Sequence, residues 1–149
     1  MATLSSDLRI DIDRLSDRLA ALAEIGAIEG TEGCARLALT DEDKAGRDLV
    51  VSWMRDLDLT ITVDSIGNVV GVMDGEHDGQ PVMTGSHIDT VRTGGRYDGN
   101  LGVLAGLEVI ETLRAAGITP PRGLAVAFFT DEEGARFPPG GGRFPAGGA

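Results

Sequence analysis

The sequence predicts an α/β fold in which a mixed sheet is flanked by helices, and three observations lead there. Apolar residues recur at helical spacing in the N-terminal part, switch to alternation near residue 59, and later bracket an apolar helical stretch between two short apolar runs. A strand, loop, buried helix, strand sequence is the βαβ pattern, and it demands helices and strands around one core.

The elements follow in order. From Asp7 to Ala23 the residues Leu8, Ile12, Leu15, Leu19 and Leu22 recur at alternating steps of four and three, one face of an amphipathic helix that Gly26 and Gly30 stop. Thr40-Asp-Glu-Asp43 resembles a capping box opening a second helix through Ala45, Leu49, Val50, Trp53, Met54 and Leu57, with Trp53 in the core. Leu59, Ile61 and Val63 then alternate with Thr60, Thr62 and Asp64, and Ile66-Gly-Asn68 leads into Val69-Val-Gly-Val-Met73, two strands joined by a tight turn. Asp74 to Gly79, which includes a solvated His77, reads as a turn, and Pro81 to Gly85 as a short buried strand. Leu101 to Ala116 is apolar nearly all round, as in a helix packed on both sides, and Gly117 with Pro120-Pro121 ends it. Leu124-Ala-Val-Ala-Phe-Phe129 is a second buried strand. Residues 138–149 are Pro/Gly/Arg/Ala-rich without periodicity and are expected to be a non-native or disordered tail behind a domain at 1–137.

Composition excludes several function classes. With 149 residues, 42% hydrophobic, the chain is long enough for one ordinary core. Thirteen basic against 24 acidic side chains give a net charge of −11, which repels phosphate backbones and anionic lipid, so neither nucleic acid nor membrane is an expected partner. Cys34 stands alone, is expected to be inert, and cannot form an internal disulfide or a thiolate zinc site. No leader-like or membrane-spanning apolar run is present, so a cytoplasmic location is expected.

The chemistry-bearing residues cluster at predicted strand ends, where ligands gather in α/β sheets. One cluster is Gly85-Ser-His-Ile-Asp89 followed by Tyr97-Asp98-Gly99; the other is Asp131-Glu132-Glu133. Together they bring one imidazole and several carboxylates, with no basic residue inside either, an arrangement that is costly unless cations hold it. Divalent metal is the economical explanation. His87 ligates one ion, Asp98 bridges two, one of Glu132 and Glu133 ligates, and the other takes a proton from a shared water. Asp89 can reach the other imidazole nitrogen and fix the tautomer. Taken singly, His87 and Asp89 also read as a surface hydrogen-bonded pair, Asp98-Gly99 as a turn, and the glutamates as a helix cap. Their joint occurrence at successive strand ends favours the metal reading.

These strings resemble the hydantoinase/carbamoylase branch of the M20 metallopeptidase family: Gly85-Ser-His-Ile-Asp-Thr-Val91, Gly94-Gly-Arg-Tyr-Asp-Gly99, Leu101-Gly-Val-Leu-Ala-Gly-Leu107 and Phe129-Thr-Asp-Glu-Glu-Gly-Ala-Arg-Phe137. Arg36 to Lys44 and Asp64 to Val69 look like it too, so the similarity runs from Ala27 to Phe137. The resemblance implies the first part of a zinc-peptidase-like catalytic domain. It implies a pair of divalent ions, zinc with manganese, cobalt or nickel as alternatives, with His87 and Glu133 as ligands and Asp98 bridging. Glu132 would be the general base, Asp89 would orient the histidine, and the Asp98–Gly99 peptide would be cis. It further implies hydrolysis of the ureido group of N-carbamoyl-L-amino acids or allantoate-like acids, and a homodimer at full length. The alternatives are an aminoacylase or dipeptidase on the same scaffold, or a non-catalytic remnant that binds a partner.

The chain departs from that pattern after Phe137, where the remaining catalytic domain, a dimerisation domain and two later histidine ligands are expected, and no histidine follows His87. A frameshift in GC-rich DNA, a truncated gene or the edge of an expressed segment would give this text, and the chain as it stands is expected to be inactive.

Overall fold

The computed structural model describes residues 8–137. Helix α1 spans Ile12–Glu24 and α2 spans Asp41–Asp56. Asp11 caps α1 by accepting from the N–H groups of Asp13 and Arg14, which starts the helix later than its apolar period suggests. Thr40 caps α2 through the N–H of Asp43, and the Asp43 carboxylate reaches back to the N–H of Leu39, a capping box displaced by one residue.

Strands β1 (Thr60–Val63) and β2 (Val69–Met73) form the expected antiparallel pair. Their turn is tied by Asp64, whose carboxylate accepts from Ile66 N, Asn68 N and Asn68 Nδ2. Strand β3 (His77–His87), helix α3 (Asn100–Ala115) and strand β4 (Arg122–Phe129) complete the βαβ unit. The sheet order is β1-β2-β4-β3, with β4 antiparallel to β2 and parallel to β3, so the sheet is mixed.

The core forms where α1, α2 and α3 meet the sheet, around Leu22, Met54, Leu104, Leu107, Val126 and Phe128, all fully buried. Each such side chain contributes roughly 1.5–3 kcal/mol of burial. Helix α3 lies close to the sheet because residue 106 is glycine: a Cβ there would stand 2.7 Å from Thr84 Cγ2 and 2.8 Å from Val126 Cγ2. Trp53 is half-buried against this core, with the Arg18 guanidinium 5.7 Å from its ring centre.

Helices α1 and α3 are joined by a buried carboxylate. Glu108 accepts from Arg14 Nε and Nη2 at 2.8 and 2.7 Å, from Asp11 N at 2.8 Å and from Thr112 Oγ1 at 3.0 Å. Burial pushes the Glu108 pKa up, but these donors outweigh it and hold the carboxyl below its ordinary range.

Two expectations are corrected. The run at 81–85 is not buried: β3 occupies the sheet edge, starts already at His77 within the expected turn, and leaves Val82 and Met83 about half exposed. It is β4 that takes the interior position. Helix α3 is likewise covered on one side only, with Leu101 and Val109 exposed among the described residues. Between α3 and β3 an apolar groove of about 320 Å³ remains open. The expected tail at 138–149 lies outside the described residues. No helix among them is long and apolar enough to cross a membrane.

Candidate metal centre

Parallel pairing brings the predicted residues together. His87 at the end of β3 is in register with Phe129 at the end of β4, so the segments leaving both strands emerge at one edge of the sheet. Helix α3 starts at the same edge, with Asp98 and the capping Gly99 just ahead of it. His87 Nε2 lies 3.4 Å from Glu132 Oε2 and 3.9 Å from Asp98 Oδ1. His87 is buried, whereas the Asp98 and Glu132 side chains are largely open to solvent.

Backbone fixes the imidazole. His87 Nδ1 stands 2.9 Å from the carbonyl oxygen of Asp89. A carbonyl only accepts, so Nδ1 carries a proton toward Asp89 O, and Nε2 is the nitrogen that faces Asp98 and Glu132. Gly99 makes room for the ring: it has φ of +66°, and a Cβ there would fall 2.6 Å from both Cε1 and Nε2 of His87.

The Asp89 carboxylate does something other than the expected contact with the imidazole, from which it stands 3.8 Å. It is buried and accepts from the backbone N–H groups of Glu132 and Glu133, at 3.4 and 3.2 Å. Asp89 thus ties the segment after β3 to the acidic segment after β4. Glu133 has its carboxyl pushed above the ordinary range, first by burial and then by Asp98, Glu132 and Asp89, with His87 opposing. The segment after β4 is held further by Asn68 Oδ1, which accepts from Thr130 N, by Arg47, which reaches Thr130 and Gly67, and by Arg136, which donates to the carbonyls of Ala38 and Leu39.

The expected cis peptide is absent: the Asp98–Gly99 bond is trans, and Gly99 accommodates the turn through its positive φ instead. The donor chemistry suits a divalent cation: an imidazole nitrogen beside carboxylates, of which one, Glu133, is partly buried and crowded by like charge. The donor number is small. No three His, Cys, Asp or Glu side chains among the described residues stand as a ready cation site. His77, the other histidine, is at the far end of β3, roughly 30 Å away at the usual rise per strand residue.

Sequence reasoning missed two residues behind the site. Arg36 is fully buried, and its guanidinium donates to Ile88 O at 2.8 Å, Leu22 O at 2.9 Å, Ile25 O at 2.7 Å and Asn100 Oδ1 at 3.1 Å. Burial lowers its pKa, while Cys34, Asp43 and Asp89 push the other way. Asn100, also fully buried, donates from Nδ2 to Arg96 O at 3.0 Å. Thr90 locks the same layer, its Oγ1 accepting from Arg36 N and its N–H donating to Arg36 O. The signal in the sequence was a lone arginine in the apolar run Cys34-Ala-Arg-Leu-Ala38. Cys34 is buried and bridges Ala27 and Gly94 through its backbone.

Comparison with known proteins agrees with the fold. Residues 83–148 match the model of Peptidase family M20/M25/M40. The chain is 44% identical over 126 residues to an N-carbamoyl-L-amino acid amidohydrolase of Geobacillus stearothermophilus, covering 84% of this chain and 31% of that protein. It is 36% identical over 135 residues to a ureidoglycolate hydrolase of Arabidopsis thaliana, covering 90% of this chain and 28% of that one. A crystal structure of a hydantoinase/carbamoylase family amidase from Burkholderia ambifaria superposes with a TM-score of 0.84 at 50% identity, over 87% of this chain and 32% of that one. The chain therefore spans about a third of the length of the relatives it matches.

Proposed function

The chain is a member of the M20 peptidase family, and from that premise we propose that it carries part of the catalytic centre of a metal-dependent amidohydrolase acting on ureido acids. The observation that carries the proposal is the orientation of His87. Its Nε2 faces two carboxylates, Asp98 at 3.9 Å and Glu132 at 3.4 Å, across the ends of two parallel strands.

His87, Asp98 and Glu133 would hold the ions, with further ligands from outside the described residues. A bound divalent pair supplies an acidified water and polarises the scissile carbonyl. Glu132, exposed and within 3.4 Å of His87 Nε2, accepts the proton of the attacking water and returns it to the departing nitrogen. Asp89 keeps Glu132 and Glu133 in register through their N–H groups. Zinc is the favoured metal, with manganese, cobalt or nickel as alternatives. The substrate class follows the named activities of the relatives, N-carbamoyl-L-amino acids, ureidoglycolate and allantoate. We further infer a cytoplasmic enzyme that is a homodimer at its relatives' full length.

One imidazole cannot complete two metal sites, so the 149-residue chain alone is expected to be inactive. The test is to express the chain alone and joined to the remaining length of a close relative, then assay ureido acids beside dipeptides and N-acyl amino acids. Ammonia release from a ureido acid by the joined protein, abolished by Glu132→Gln, is the expected result. Cleavage of dipeptides alone would replace this reading with peptidase chemistry.

A further inference from the structure

Two ligand-bearing segments, 87–89 and 96–100, converge on a single buried guanidinium. Ile88, whose carbonyl accepts from Arg36 Nε, sits between His87 and Asp89; Asn100, whose Oδ1 accepts from Arg36 Nη2, follows Asp98 by two residues. The remaining donors grip the carbonyls of Leu22 and Ile25 at the end of α1, which fixes the arginine to the core. Four of the five guanidinium N–H groups are thus spent on backbone or amide oxygens, and none on a carboxylate. Asp43 and Asp89 offset this fully buried cation only through space, so all its directional bonds go to fixing chain segments.

We propose that Arg36, acting through Ile88 and Asn100, is a positioning residue that sets the separation of His87 and Asp98. The inference rests on reading those two residues as metal ligands. The fork shape of the guanidinium matters: Nε and Nη2 lie on one edge of the plane and take one oxygen from each segment, so the two segments cannot move apart without breaking a charge-assisted bond. Asn100 passes the restraint on, since its Nδ2 holds the carbonyl of Arg96 in the loop that carries Asp98. Helix α2 locks the arginine from behind. Gly46 faces it so closely that a Cβ would stand 2.6 Å from Arg36 Cδ.

The experiment uses the 149-residue chain and two variants that leave Arg36 in place, Asn100→Ala and Gly46→Ala. Asn100→Ala removes one arm of the clamp; Gly46→Ala pushes on the arginine from α2, remote from the acidic residues. Imidazole nitrogen shifts, measured by NMR on the folded protein, report the tautomer and mobility of His87, with the exposed His77 as internal reference. Both variants are expected to shift or broaden the His87 signals and leave His77 unmoved. Zinc affinity, measured by titration, is expected to fall about tenfold or more, the usual effect of losing a group that orients a ligand. A purely structural role would lower the melting temperature and leave the His87 signals of the folded protein unchanged, and that result overturns the proposal. Unchanged zinc affinity in both variants overturns it as well. If the parent chain binds no zinc, His87 and Asp98 need ligands outside the described residues to hold an ion, and the imidazole signals alone then decide for or against the clamp.

Discussion

His87 is oriented by the backbone of Asp89 and not by its side chain: Nδ1 is 2.9 Å from the carbonyl oxygen and 3.8 Å from the carboxylate. Two tasks are thereby divided between two parts of one residue. The carbonyl sets the tautomer, and the carboxylate is left free to hold the N–H groups of Glu132 and Glu133.

This division predicts a specific phenotype for Asp89→Ala. The carbonyl survives, so the imidazole tautomer should be retained, while the acidic segment loses both of its acceptors. The expected outcome is an unchanged His87 nitrogen spectrum together with faster amide hydrogen exchange at Glu132 and Glu133. A change of tautomer with unchanged exchange would assign the orienting role to the carboxylate.

Gly99→Ala tests the packing over the ring. A Cβ at that position meets His87 O at 2.5 Å and the ring at 2.6 Å, and the residue has φ of +66°. Neither neighbour can yield without moving His87 or the start of α3. A loss of about 1–3 kcal/mol is expected from strain at such a site, with thermal unfolding as the measurement. Displacement of the His87 signals should accompany it.

Much of this was legible from periodicity. The apolar steps of four and three in α1, the alternation Leu59, Ile61, Val63 before β2, and the apolar run Leu124–Phe129 each gave the element and its type. That the two acidic clusters would meet was also readable, because parallel strands end together at one edge of the sheet. What escaped depends on partners far apart in the chain. Arg36 and Asn100 are 64 residues apart, and although Arg36 stands out in its apolar run, neither neighbourhood names the other as its partner. The same holds for Glu108, which sits in an apolar helix and acquires its meaning only from Arg14, 94 residues earlier. The exposure of Val82 and Met83 escaped because strand order cannot be read from a single run of apolar residues.

Glu108 gives a prediction about acid stability. Its folded pKa lies below the ordinary value, so its stabilisation is present above the unfolded carboxyl pKa, about 4.3 for glutamate, and fades as pH falls through the lower folded value. Glu108→Gln should be less stable than the parent at neutral pH by roughly 1.5–3 kcal/mol, the cost of weakening the charge-assisted bonds from Asp11 N and from Arg14, which keeps Glu111 at 3.3 Å as a charged partner. The deficit should shrink toward pH 3. Denaturant unfolding across pH 3–7 measures it, and a deficit independent of pH would show that packing, not charge, is what Glu108 contributes.

Glu133 is the opposite case, and its sign separates a metal ligand from a structural carboxylate. Burial and the carboxylates around it hold its folded pKa above the ordinary value. Its contribution is therefore favourable below the unfolded pKa, about 4.3, and is lost as pH rises through the folded one. At neutral pH and without metal, the ionised group costs stability, so Glu133→Gln should raise the melting temperature at pH 7 and leave it nearly unchanged at pH 4. Zinc should reverse the order at pH 7, because an ion supplies the missing counter-charge to the carboxylate and gains much less from the amide. Thermal scans of both proteins with chelator and with zinc give the four values required. A stabilisation by Gln that persists in zinc would remove Glu133 from the ligand set and leave it as a carboxylate strained by its neighbours alone.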